Sequence, residues 1–218
     1  MPARISKEQY RVLQLPIVAL PSPQELFEQI VETLVAKGVA KYSDADPFRN
    51  SLPNGLFNLI PPRPTELDLN HLMRLIERNG EEGMTYLDPK KLTDRVVVPA
   101  GPYLILDIKH GGPYYTTPSL AEADILSEQR SPFTVFEGII HGIVFSDVLG
   151  GGITCCGSRY QSECVPFLNL AIDEVVSPDV EEVHRVYKQN CFLNADSGDR
   201  CFGAASCGSR KGARASDP

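Results

Sequence analysis

The tetrapeptide Cys-Gly-Ser-Arg occurs twice, at Cys156–Arg159 and at Cys207–Arg210. Glycine lets the backbone turn and expose its N–H groups. Serine adds a hydroxyl, and arginine a planar fork suited to carboxylate or phosphate. Two such loops meeting in space make an anion pocket, with Ser158, Arg159, Ser209 and Arg210 as its binding groups. Standing apart, they are two turns that each carry a surface arginine.

All six cysteines lie late in the chain: Cys155, Cys156, Cys164, Cys191, Cys201 and Cys207. No C-x-x-C exists, so thioredoxin-like redox chemistry has no support. Structural zinc sites take ligand pairs about two to four residues apart, and no such pair is present either. Three readings remain open. The thiols are reduced, buried and apolar in behaviour; or distant cysteines hold zinc with His184; or they form disulfides in an oxidising compartment. A nucleophilic cysteine needs a base and a lowered pKa. Cys156 and Cys207 beside Gly-Ser-Arg are the candidates, with His110, His141 and His184 as bases.

Glu137 and His141 stand four apart on an expected helix and share a face. That geometry suits a metal or an ordinary polar pair, and Glu137 is also placed to cap its own helix. Asp107 ends an apolar strand with His110 three residues on. Tyr114, Tyr115, Thr116 and Thr117 give a loop that grips a ligand or covers the core edge.

The elements that position these residues are readable from caps and periodicity. Ser6-Lys7-Glu8-Gln9 has capping-box form, for a short helix before Pro16. Ser22-Pro23-Gln24-Glu25 predicts a stronger helix start, followed by Leu26, Phe27, Ile30, Leu34 and Val35 at helical spacing, with a stop at Lys37-Gly38. Residues 44–64 are irregular and proline-rich, with a short strand through Leu56, Phe57, Leu59 and Ile60. A second helix is expected from Thr65 to Asn79-Gly80. After Asp94 a strand is expected at Tyr103–Ile108, a helix capped at Ser119 and another capped at Thr134, then strands near Ile153–Cys156 and Val165–Ile172. Residues 181–193 fit helix or strand. Helices dominate 1–94 and strands the rest, which favours an α+β fold: a helical N-terminal portion packed on a small mixed or antiparallel sheet formed by the C-terminal portion. The expectation is one domain over 1–210, with a disordered tail at 211–218.

With 218 residues, 42% of them hydrophobic, the chain can build its own core. Its formal charge of −7 disfavours phosphate backbones, and the only basic cluster is Arg210, Lys211 and Arg214. Nucleic acid is therefore not an expected partner. No apolar run approaches the roughly 18 residues of a membrane span, and the polar first ten residues carry no signal-peptide core, so a cytoplasmic location is expected.

Pro102–Asp107 and Arg130–Gly138 resemble segments of an uncharacterised bacterial family of about this length, known mainly from actinobacteria. Gly157–Arg159 and Phe202–Arg210 resemble later segments in the same order, so the resemblance runs over about 102–210. It implies one undivided unit in a bacterial setting, and no reaction. The chain departs from the family's pattern in having no tryptophan and no histidine in Asn194–Arg200. The expected function is a non-enzymatic module that binds a small anionic ligand or a protein. The alternatives are an enzyme or metal protein using the late cysteines, and an assembly subunit.

Overall fold

The computed structural model of the chain describes residues 21–78, 80–110, 117–161, 163–176, 185–196 and 204–213. The helix expected at Ser6, the Tyr114–Thr116 loop, His184, Cys201 and residues beyond 213 lie outside them.

Helix α1, Pro23–Ala36, starts as its sequence dictates. Glu25 N donates to Ser22 Oγ, and Ser22 N donates back to Glu25 Oε2. The helix buries Leu26, Phe27, Ile30, Val31 and Leu34, and ends where Gly38 takes a φ of 70°. A one-turn helix α2, Tyr42–Ala45, leads to strand β1, Phe57–Ile60, whose four residues are all buried. Helix α3 is Leu69–Arg74, shorter than expected. Asp68 accepts from His71 N and so caps the helix.

Four short strands follow that the sequence does not announce: β2, Glu77–Arg78; β3, Glu81–Glu82; β4, Met84–Thr85; and β5, Leu92–Asp94. Strand β6 is Tyr103–Leu106. Helix α4, Pro118–Ser127, is capped by Thr117 and not from Ser119. A proline has no N–H to lose in the first turn, so Pro118 fixes that start. Strand β7, Ser131–Pro132, runs into helix α5, Val135–Val144. Then come β8, Ile153–Thr154; β9, Ser158–Tyr160; β10, Val165–Val176; β11, Arg185–Asp196; β12, Ser206–Cys207; and β13, Ser209–Gly212.

Two larger sheets result. One is antiparallel, in the order β1-β6-β13. The other is mixed, β4-β11-β10-β8, with β4 parallel to β11. The fold is α+β, and its N-terminal part also lends β1 and β4 to the sheets. The expected disorder at 211–218 is corrected at its near end. Lys211 and Gly212 pair with Leu104 and Tyr103 of β6. Ser-Arg-Lys-Gly has a polar surface composition, and only its pairing with an apolar strand makes it a strand.

Helix α5 positions the site. Nine consecutive residues, Val135–Ile143, are buried, so this helix is enclosed on every side. Burial of Ile139 and Ile140 stabilises the fold by about 1.5–3 kcal/mol each. Gly138 makes room for the second sheet. A Cβ there would lie 2.6 Å from Cys155 Sγ and 3.2 Å from Leu168 Cδ1 of β10.

Candidate functional site

The face of α5 that carries Glu137 and His141 meets the first sheet. Register decides what it meets there. Asn58 of β1 and Arg210 of β13 both pair with Ile105 of β6, so Asn58, Ile105 and Arg210 form one cross-strand row. Side chains alternate along a strand, so Tyr103 faces the same way two residues along. One row end reaches Glu137 and the other reaches His141.

Glu137 is fully buried and fully satisfied. Oε1 accepts from Arg210 Nε at 2.6 Å and from Tyr103 Oη at 3.0 Å. Oε2 accepts from Arg210 Nη2 at 2.8 Å and from Thr134 N at 2.7 Å, which completes the expected capping box. Arg210 also donates to Pro132 O and to Ser131 Oγ. Burial opposes the charge on Arg210, but Glu137 more than offsets that and raises the guanidinium pKa above its ordinary value. Burial, followed by the Glu137 charge, pushes the Tyr103 phenol far above its ordinary range. This is a bidentate, charge-assisted lock between α5 and β13.

His141 is also fully buried, and among the described residues no carboxylate is its partner. Its Nε2 lies 3.0 Å from His110 Nε2, with ring centroids 4.7 Å apart. The rings of Phe133 and Phe145 flank it, at 5.7 and 4.8 Å between centroids. Burial, and then the neighbouring His110, hold the His141 pKa well below 6.5. His110 is an exposed residue whose ring packs on His141, and the desolvation of that ring lowers its pKa too. Both imidazoles are therefore neutral at neutral pH. Asn58 Nδ2 stands 3.4 Å from His141 Nδ1, while Asn58 Oδ1 is buried with no donor. A half-turn of that amide gives Oδ1 the Nδ1–H as its donor. Nδ1 then holds the proton, and the Nε2 lone pair points at His110. The arrangement is a neutral, lone-pair-rich spot joining the core to the surface.

In the two Cys-Gly-Ser-Arg copies both guanidinium groups have internal partners. Arg159 donates to Glu122 and to the carbonyls of Cys156 and Ser158. Ser158 Oγ accepts from Val135 N at 2.9 Å and donates to Asp94 Oδ1 at 2.6 Å. Ser209 is exposed. What the copies share is a target, the segment that opens α5. Gly157 N donates to Phe133 O at 2.8 Å, and a Cβ at Gly157 would lie 2.7 Å from the Phe133 and Pro132 oxygens. The first copy grips this segment through Gly157 and Ser158, the second through Arg210. Asp107 likewise pairs with Arg130 and not with His110.

Cys207 is a buried free thiol and Cys164 a half-buried one, while Cys155 and Cys156 are buried. Burial pushes the Cys207 thiol up to about 11, the reverse of what a nucleophile requires. Among the described residues no group of three or more His, Cys, Asp or Glu is placed to hold a metal ion. Asn58 is the functional residue that sequence reading passes over. Its signal is a lone amide in the apolar run Phe57-Asn58-Leu59-Ile60.

Fold and site together define an α+β protein with a buried helix whose one polar face ends in an imidazole pair. Residues 15–167 match the model of a family of unknown function, DUF5701, and the chain belongs to that family. The match holds Asn58, His110, Glu137, His141 and the first Cys-Gly-Ser-Arg copy, and stops inside β10, so of the resemblance over 102–210 it covers the part up to 167. No curated protein and no solved structure matches the chain.

Proposed function

We propose that the chain is a non-enzymatic small-ligand-binding module, and that its site is His110, His141 and Asn58. One observation carries this reading: the fully buried His141 offers Nε2 to a surface imidazole 3.0 Å away. Burying a polar ring costs free energy unless its nitrogens are satisfied. A core that only needed volume here would hold an apolar side chain, as it does at Ile139, Ile140 and Ile143 on the same helix. The proposed setting is a bacterial cytoplasm. Free thiols at Cys164 and Cys207 suit a reducing compartment, and the bacterial setting follows the resemblance described above. No helix of the described residues is long and apolar enough to cross a membrane.

The test is a ligand-observed NMR screen of small polar molecules and metal salts against the wild type and His110→Ala. The expected result is at least one binder that loses tenfold or more in affinity in the variant, a difference of about 1.4 kcal/mol. A screen in which no binder depends on His110 overturns the reading.

A further inference from the structure

We propose that the imidazole pair is a metal site, in which His110 Nε2 and His141 Nε2 occupy neighbouring positions around one divalent late first-row ion. This rests on the binding reading above and names its ligand.

The geometry of the rings carries the inference. A straight N–H···N bond between imidazoles places each ring behind its own nitrogen, with centroids about 5.3 Å apart for a bond of ordinary length. The observed separation is 4.7 Å with the nitrogens 3.0 Å apart, so the two ring axes are not collinear. Two rings aimed at a common ion about 2.05 Å from each nitrogen give a centroid separation of about 4.7 Å at that 3.0 Å spacing. The angle subtended at the ion is then about 95°. A near-right angle suits the tetragonal or octahedral preference of nickel(II) and copper(II) better than the tetrahedral preference of zinc.

The second observation is the orphaned Asn58 Oδ1, buried with no donor. Metal-bound histidines almost always donate their other ring N–H to an oxygen, which fixes the tautomer and aims the lone pair. Asn58 is the residue beside His141 Nδ1, and its half-turned amide supplies that oxygen. The chemistry of the pair agrees. Both rings are neutral, and imidazole suits nickel and copper. His110 is exposed, which gives an ion access to the pair from solvent. The site is distinct from the expected cysteine and His184 zinc centre, and uses none of its residues.

The experiment is calorimetric titration of the full chain with nickel chloride, for the wild type and His110→Ala. Nickel replaces copper as the probe because copper(II) oxidises thiols, and the chain has six. His110 is a surface residue, so its truncation spares the core, and circular dichroism confirms the variant's fold. The expected result is one nickel ion per wild-type chain, paramagnetic shifts on two histidine rings, and at least a tenfold loss of affinity in the variant. Absence of saturable binding overturns the proposal. So does undiminished binding in the variant, or a thiolate-to-nickel absorption band, which would place the ion on cysteines. If nickel fails while an organic compound binds through His110, the metal assignment alone falls. If nothing binds through His110, the binding reading falls with it.

Discussion

Asn58 and Arg210 flank Ile105 in a single cross-strand row, and each reaches a different polar residue of the same buried helix. The two are separated by most of the chain. Antiparallel register brings them level, and the one-turn spacing of Glu137 and His141 gives each a partner. The two pairings have opposite character. Arg210 and Glu137 are charged and saturated with hydrogen bonds, which suits a structural lock. Asn58 and His141 are neutral and incompletely satisfied, which suits a site.

Breaking the lock from one side should be costly. Arg210→Met leaves the Glu137 carboxylate buried without its cation. We expect a loss of about 3–5 kcal/mol, the usual cost of removing one partner of a buried ion pair. The double variant Arg210→Met with Glu137→Gln removes the stranded charge and should recover most of that loss. Urea denaturation of the three proteins checks this. Equal instability of the single and double variants would mean that the pair is not electrostatically coupled.

Local features of this fold were legible, and relations between distant segments were not. Ser22 with Glu25, and Thr134 with Glu137, form capping boxes within four residues, so the sequence shows them directly. The competition at Thr117 and Ser119 was also local, but two adequate caps lay within three residues and Pro118 decided between them. Nothing within Ser-Arg-Lys-Gly marks strand β13, whose last two residues fall in the expected tail, and its identity comes from β6. The same cause hides the partners of the repeated tetrapeptide: Glu122 and Glu137, which pair with its two arginines, are far off in sequence. The shared face of Glu137 and His141 was readable from their spacing; Asn58 as the partner of His141 required register.

The thiols should divide by burial. Brief treatment with iodoacetamide at pH 7.5, followed by peptide mass mapping, should label Cys164 and spare Cys155, Cys156 and Cys207. For Cys207 the protection is twofold, since burial both blocks access and pushes its pKa to about 11. Cys207 should label after unfolding in urea. Rapid native labelling of Cys207 would contradict its burial and reopen a nucleophilic role.

The imidazole pair should make stability depend on pH in a defined direction. The ordinary value for both groups is 6.5, and the fold lowers both, His141 the more strongly. Above that value both rings are neutral in the folded and unfolded chain, and pH has no leverage through them. Below it the unfolded chain takes up protons that the folded chain refuses. Stability is therefore full above about pH 6.5 and is lost as pH falls toward the folded-state values, at up to about 1.4 kcal/mol per pH unit for the buried His141 and less for the exposed His110, which solvent screens. Glu25 and Glu128, whose folded pKa values are lowered from 4.5, act in the same direction but at more acidic pH. Urea midpoints at pH 7.5, 6.0 and 5.0 separate the two windows. His141→Gln should lower stability at every pH but flatten the decline between 7.5 and 5.0. Parallel declines in wild type and variant would show that His141 takes up protons as readily folded as unfolded, and that the ring is not held neutral in the core.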